Sequence, residues 1–125
     1  MATFPKDHRL LTPSDFNHLR SGASYCNTSH LRFYYKDSLN KDGSSRIGLS
    51  VSRKVGNAVQ RNLVKRVLRE KFRHSNLRDL GKDILVIASP RLKPLFSNES
   101  ELKESLRHSW AKGEGKIYEY SQKSS

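Results

Sequence analysis

Arg61, Lys65, Arg69 and Arg73 recur at every fourth position of residues 53–73, RKVGNAVQRNLVKRVLREKFR. At about 100° per residue this spacing lines them along one face of a helix, with Asn62 and Arg66 beside them. Guanidinium and ammonium groups in such a row offer binding chemistry: they neutralise phosphates of a polyanion. Leu63, Val64, Val67, Leu68 and Phe72 fall on the opposite side, where an amphipathic helix buries its apolar stripe. Arg53 and Lys54 lead into the row, Gly56 lets the entering chain turn or approach a ligand closely, and Asn57 is placed to cap the helix.

A charged helix face is often merely solvated, but a solvated face usually mixes both signs. From Arg46 to Arg73 there are nine Lys/Arg and one acid, Glu70, so this stretch holds most of the formal net charge of +12. Like charges on successive turns cost a few tenths of a kcal/mol per i, i+4 pair. A bound polyanion removes that cost.

Catalytic constellations are absent. The twelve acids are scattered and form no carboxylate cluster of the kind that holds two metal ions. His8, His18, His30, His74 and His108 show no paired ligand spacing, and there is no GxSxG turn, P-loop or GxGxxG. Cys26 is the single cysteine, which excludes an internal disulfide and a cysteine-based zinc cluster. The pattern is that of a binder.

The elements that must position the basic row are legible in the rest of the chain. At 125 residues and 34% hydrophobic content it is one domain with a modest core and a large surface. We expect a flexible arm over 1–8, a core over 9–113 and a loose tail over 114–125. Thr12-Pro13-Ser14-Asp15 has the marks of a helix start, with Leu11 stapled against Phe16; this short helix ends near Gly22, with Phe16 and Leu19 as its apolar contacts.

Tyr25–Ser29 is expected to add a further short strand. His30–Lys36 alternates, Leu31, Phe33 and Tyr35 on one face and His30, Arg32 and Tyr34 on a wetter one. Asn40, Asp42 and Gly43 suit a hairpin loop, and Arg46–Arg53 alternates again, with Ile47, Leu49 and Val51 inward. A polar connection closing on Gly81 leads to Asp83–Ala88, DILVIA, an apolar run suited to a central or doubly covered strand. Ser97 or Asn98 caps a last helix with Leu102, Leu106 and Trp110 as its inner stripe, and Gly113 is expected to end it. No apolar run is long enough to span a membrane, and MATFPKDHRLL lacks the apolar core of a signal peptide, so a cytoplasmic protein is expected.

Charge and elements alone leave several partners open. A structural RNA-binding protein of ribosomal type shares them. A DNA-binding regulator would lay the basic helix in a major groove. A self-sufficient nuclease is disfavoured by the missing carboxylates, and a membrane-surface role by an apolar helix face that has a core to cover.

The stretch Lys54–Arg69, KVGNAVQRNLVKRVLR, resembles the signature of the protein component of bacterial ribonuclease P, with Arg61-Asn62 followed by Lys65-Arg66 and then Arg69. The similarity extends over about residues 8–112, through the helix at Pro13–Arg20, the RIGLSVSR and DILVIA strands and the Leu/Trp helix. It implies a single compact α+β domain of order αβββαβα, like domain 2 of ribosomal protein S5. It also implies a left-handed βαβ crossover through the motif helix, which composition would not predict because such connections are right-handed in about 98% of cases.

The resemblance further implies an endonucleolytic holoenzyme that removes the 5′ leader of precursor tRNA. Its catalyst is the RNA subunit, and this chain supplies no catalytic residue. Lys54, Arg61, Asn62, Lys65, Arg66 and Arg69, flanked by Arg53 and Arg73, would contact the catalytic RNA. Phe16 and Phe33 would line a cleft for the single-stranded leader, where stacking on aromatic rings supplies the binding. Arg20 stands where many relatives carry a second aromatic. The implied cofactor is Mg2+, bound mainly by RNA. The implied partners are the catalytic RNA and precursor tRNA, with no membrane and no obligate protein partner.

Overall fold

Strand alternation and one central apolar run determine the sheet. The computed structural model describes residues 19, 21–37 and 45–123. Within them lie β1 (Ser24–Asn27), β2 (Leu31–Asp37), β3 (Arg46–Ser50), α1 (Ala58–Arg73), a 3-10 turn at Asn76–Asp79, β4 (Lys82–Ala88), a 3-10 helix at Pro90–Ser97 and α2 (Glu99–Lys123). The expected arm and most of the first helix lie outside the described residues. Leu19 is helical and buried, and Gly22 has φ +85°, the left-handed conformation that commonly closes a helix.

The sheet order is β1-β2-β4-β3. β2 is antiparallel to both β1 and β4, and β3 runs parallel to β4. The apolar β4 is therefore central, as its composition requires, and α1 makes the crossover between the parallel neighbours β3 and β4. The result is an α+β domain.

Register sorts the side chains by face. Leu31, Phe33 and Tyr35 align with Ala88, Val86 and Ile84, and Ile47 and Leu49 follow on β3. This face forms the core, covered by Val64, Leu68 and Phe72 of α1 and by Leu102, Leu106, Trp110 and Ile117 of α2. The opposite face carries Tyr25, Tyr34, Leu85 and Gly48 in one row and Asn27, Arg32, Ile87 and Ser50 in the next. Leu19 packs there against Leu85, with Ala23, Tyr34 and Ile87 around it.

Two expectations about the C-terminus are corrected. Gly113 does not end the last helix, and residues 114–123 are not a loose tail; α2 runs 25 residues to Lys123. The reason is tertiary. Ile117 extends the inner stripe by two turns and is fully buried, and Tyr120 packs edge-on against Tyr35 with ring centroids 5.1 Å apart. Gly113 is an interior position where the helix comes close to the sheet. Glu114 adds a polar tie to the end of α1: its carboxylate accepts hydrogen bonds from Ser75 Oγ, at 2.5 Å, and from Trp110 Nε1, at 3.3 Å.

Candidate nucleic-acid interface

The basic helix is positioned at its first turn. Asn57 Oδ1 accepts from Gln60 N and Gln60 Oε1 accepts from Asn57 N, each at 2.9 Å, a reciprocal capping box that satisfies two otherwise orphaned donors. A Cβ at Gly56 would lie 2.4 Å from Gln60 Oε1, so a side chain there would push the Gln60 amide out of the cap. Buried Val55 anchors the entering loop. The first turn holds no acid, so the positive end of the helix dipole adds to Arg53 and Lys54, both exposed.

Along α1, Asn62, Arg66 and Arg69 are exposed, while Arg61 and Lys65 are half-buried. Among the described residues none of Arg61, Lys65, Arg66 and Arg69 has a carboxylate partner, and Arg61 Nε is buried with no hydrogen-bond acceptor. Arg73, on the same row, differs. Its Nη2 donates to both oxygens of Glu70, at 2.7 and 2.6 Å, so the one acid of the stretch already occupies it. The row divides into an uncompensated N-terminal part and a neutralised C-terminal end.

The second surface is the sheet face opposite the core, where Leu19 packs against Leu85. Phe33 is not on it. The ring is fully buried and packs against Trp110 with centroids 5.6 Å apart at 61°. Alternation explains the correction: Phe33 shares parity with Leu31 and Tyr35, the core-facing set. The aromatic on the other face of β2 is Tyr34, half-buried beside Leu19. The alternation of β2 separates Tyr34 from Phe33, and that parity is the signal by which sequence could find it. Phe16 and Arg20 lie outside the described residues.

Around Tyr34 the structure gathers residues that sequence reading left unassigned. Tyr25 lies beside it with ring centroids 5.9 Å apart, and Arg32 is held by Asn27 Oδ1 at 2.6 Å. A cavity of about 430 Å³ at this end of the sheet is lined by Asn27, Arg32, Ile87, Ser89 and Arg91, among others. His30 adjoins it, and its pKa is lowered from the ordinary 6.5 by burial and then by the charge of Arg91. At the far end of the same face Arg46 grips buried Asp83 through Nε at 2.9 Å and Nη2 at 2.6 Å, so that carboxylate is already neutralised.

Strand direction relates the two surfaces. β3 and β4 are parallel, so the chain leaves β3 for the capping box of α1 at the edge where β4 leads into Arg91 and where Arg32 sits on antiparallel β2. The start of the basic helix and the cations Arg32 and Arg91 occupy one end of the sheet, with the Tyr25 and Tyr34 pair one row further in. The arrangement suits binding. The described residues form no group of three His, Cys, Asp or Glu side chains able to hold a metal ion.

Known proteins are similar to this chain in sequence and in fold. A family model described as ribonuclease P matches residues 4–114. The ribonuclease P protein component of Staphylococcus epidermidis is 39% identical over 105 residues, covering 82% of this chain and 87% of the relative. That of Legionella pneumophila is 40% identical over 93 residues, covering 74% and 78%. Among solved structures, the RNase P protein of Staphylococcus aureus superposes with a TM-score of 0.67 at 33% identity, over 83% of this chain and 93% of that one. The RNase P protein of Thermotoga maritima gives 0.66 at 27% identity, over 81% and 93%. In sequence over most of its length and in fold, the chain belongs to the family of ribonuclease P protein components.

Proposed function

We propose that this chain is the protein subunit of ribonuclease P, holding the catalytic RNA with the start of α1 and the single-stranded 5′ leader of precursor tRNA on the sheet face opposite the core. The observation that carries the reading is a convergence: the row of Lys54, Arg61, Asn62, Lys65, Arg66 and Arg69 begins at the end of the sheet where Arg32 and Arg91 lie, with Tyr34 one row further in on the same face as Arg32. Two RNAs repel one another, and unpaired cations between them offset that repulsion while releasing counterions. A Tyr ring beside a cationic groove holds an unpaired base without reading a duplex.

On this reading the protein positions and the RNA catalyses, and the Mg2+ that phosphodiester hydrolysis uses is held mainly by RNA. No helix among the described residues is long and apolar enough to cross a membrane, and the reading places the protein in the cytoplasm with its precursor tRNA.

The test is cleavage of a precursor tRNA at low magnesium by bacterial ribonuclease P RNA, with this protein, without it, and by the protein alone. Cleavage restored only in the mixture supports the subunit reading. An inactive mixture in which the protein still binds RNA tightly overturns it in favour of a structural RNA-binding role.

A further inference from the structure

We propose that Tyr25 and Arg32 form an additional stacking site on the outermost strand, taking one base of the single-stranded leader beyond the base at Tyr34. This inference rests on the leader-binding reading above and extends it to the β1 edge.

Tyr25 is 60% exposed, the most exposed aromatic side chain among the described residues. It shares the sheet face opposite the core with Tyr34, its register partner. Arg32 lies over the Tyr25 ring with its guanidinium carbon 5.8 Å from the centroid. The guanidinium is held in place, since Nε donates to Asn27 Oδ1 at 2.6 Å and Nη1 to Tyr34 Oη at 3.4 Å. An arginine fixed before binding loses less side-chain entropy when it meets a phosphate or base face.

The two tyrosine rings are tilted by 39°, so one base does not lie flat on both. Each ring takes its own base, as successive nucleotides of a single strand would supply. Charge selects the occupant: the walls of the adjoining cavity carry Arg32 and Arg91 and no carboxylate. An unpaired stretch of RNA brings both a π-face and a phosphate to this corner, whereas a duplex hides its base faces.

The experiment uses the reconstituted holoenzyme and precursor tRNAs whose leaders grow one nucleotide at a time, with single abasic nucleotides as further substrates. In the native protein, affinity should keep rising for one nucleotide more than in Tyr25→Ala, and that step should be roughly fivefold or larger. Tyr25→Phe should retain it, because the ring and not the hydroxyl stacks. An abasic residue at that nucleotide should remove the step from the native protein and change nothing in Tyr25→Ala. Identical length dependence in native and Tyr25→Ala proteins, with both folded by thermal melt, would overturn the site. Affinity independent of leader length in the native protein and in Tyr34→Ala would instead overturn the leader-binding reading, and this site with it.

Discussion

The ring of Phe33 fills the space that any side chain at position 113 would need: a Cβ on Gly113 would stand 2.1 Å from Phe33 Cε1. Helix α2 crosses β2 at this point, and the absence of a side chain sets how closely it packs. Gly115, two residues on, has nothing within 4 Å of the same test atom. The two glycines should therefore respond oppositely to alanine. Gly113→Ala should destabilise the fold by about 1–3 kcal/mol through overpacking, while Gly115→Ala should stabilise it by up to about 1 kcal/mol through helix propensity. Urea denaturation of the two variants measures both, and equal effects would contradict the close helix-sheet contact.

Phe33 and Tyr34 are neighbours in sequence with opposite duties. Phe33→Ala should cost about 3–5 kcal/mol of stability, as expected for emptying a buried aromatic site. Tyr34→Ala should leave most of the stability and weaken binding of leader-bearing precursor relative to mature tRNA by about 1–3 kcal/mol. Denaturation together with binding to the two RNAs separates these outcomes. Equal losses on precursor and mature tRNA for Tyr34→Ala would remove that ring from the leader site.

The basic row should not act uniformly. Arg61→Ala and Lys65→Ala each remove a cation without a carboxylate partner, and each should flatten the dependence of log affinity on log salt by about 0.7–0.9 for every phosphate that the native side chain neutralises. Arg73→Ala removes a group already shared with Glu70 and should change the slope less. Binding titrations with the catalytic RNA across a salt series check this, and a row of equal slopes would mean that RNA displaces Glu70 from Arg73.

His30 provides a reporter that needs no substitution. Its folded-state pKa lies below the unfolded 6.5 because burial and the neighbouring Arg91 disfavour the imidazolium. Well above 6.5 the ring is neutral in both states and contributes nothing to pH dependence. As pH falls through 6.5 the unfolded chain takes up the proton first, so stability declines between that value and the lower folded one. A phosphate bound beside Arg91 offsets its charge and should move the His30 pKa back up. NMR titration of the ring, free and with a leader oligonucleotide, measures the change; an unmoved pKa would place the phosphates elsewhere.

Local chemistry was enough for much of this protein. The i, i+4 row of cations, the Asn57 cap with Gly56 before it, the central character of DILVIA and the alternation of β2 and β3 all follow from neighbouring residues, and the structure keeps each of them. The resemblance of Lys54–Arg69 supplied the family, which composition and periodicity left among several RNA- and DNA-binding alternatives. Three matters were decided only by the fold. Gly113 reads locally as a helix stop, yet Ile117 and Tyr120 find the sheet beneath them, and burial outweighs the roughly 1 kcal/mol propensity cost of a mid-helix glycine. Alternation already puts Phe33 and Tyr34 on opposite faces of β2, but that α1 and α2 cover the Phe33 side and pack Trp110 against its ring is set by the fold. The joining of Tyr25, Arg32 and Arg91 into one corner depends on strand order and register, which bring β1, β2 and the end of β4 together from segments that share no local pattern.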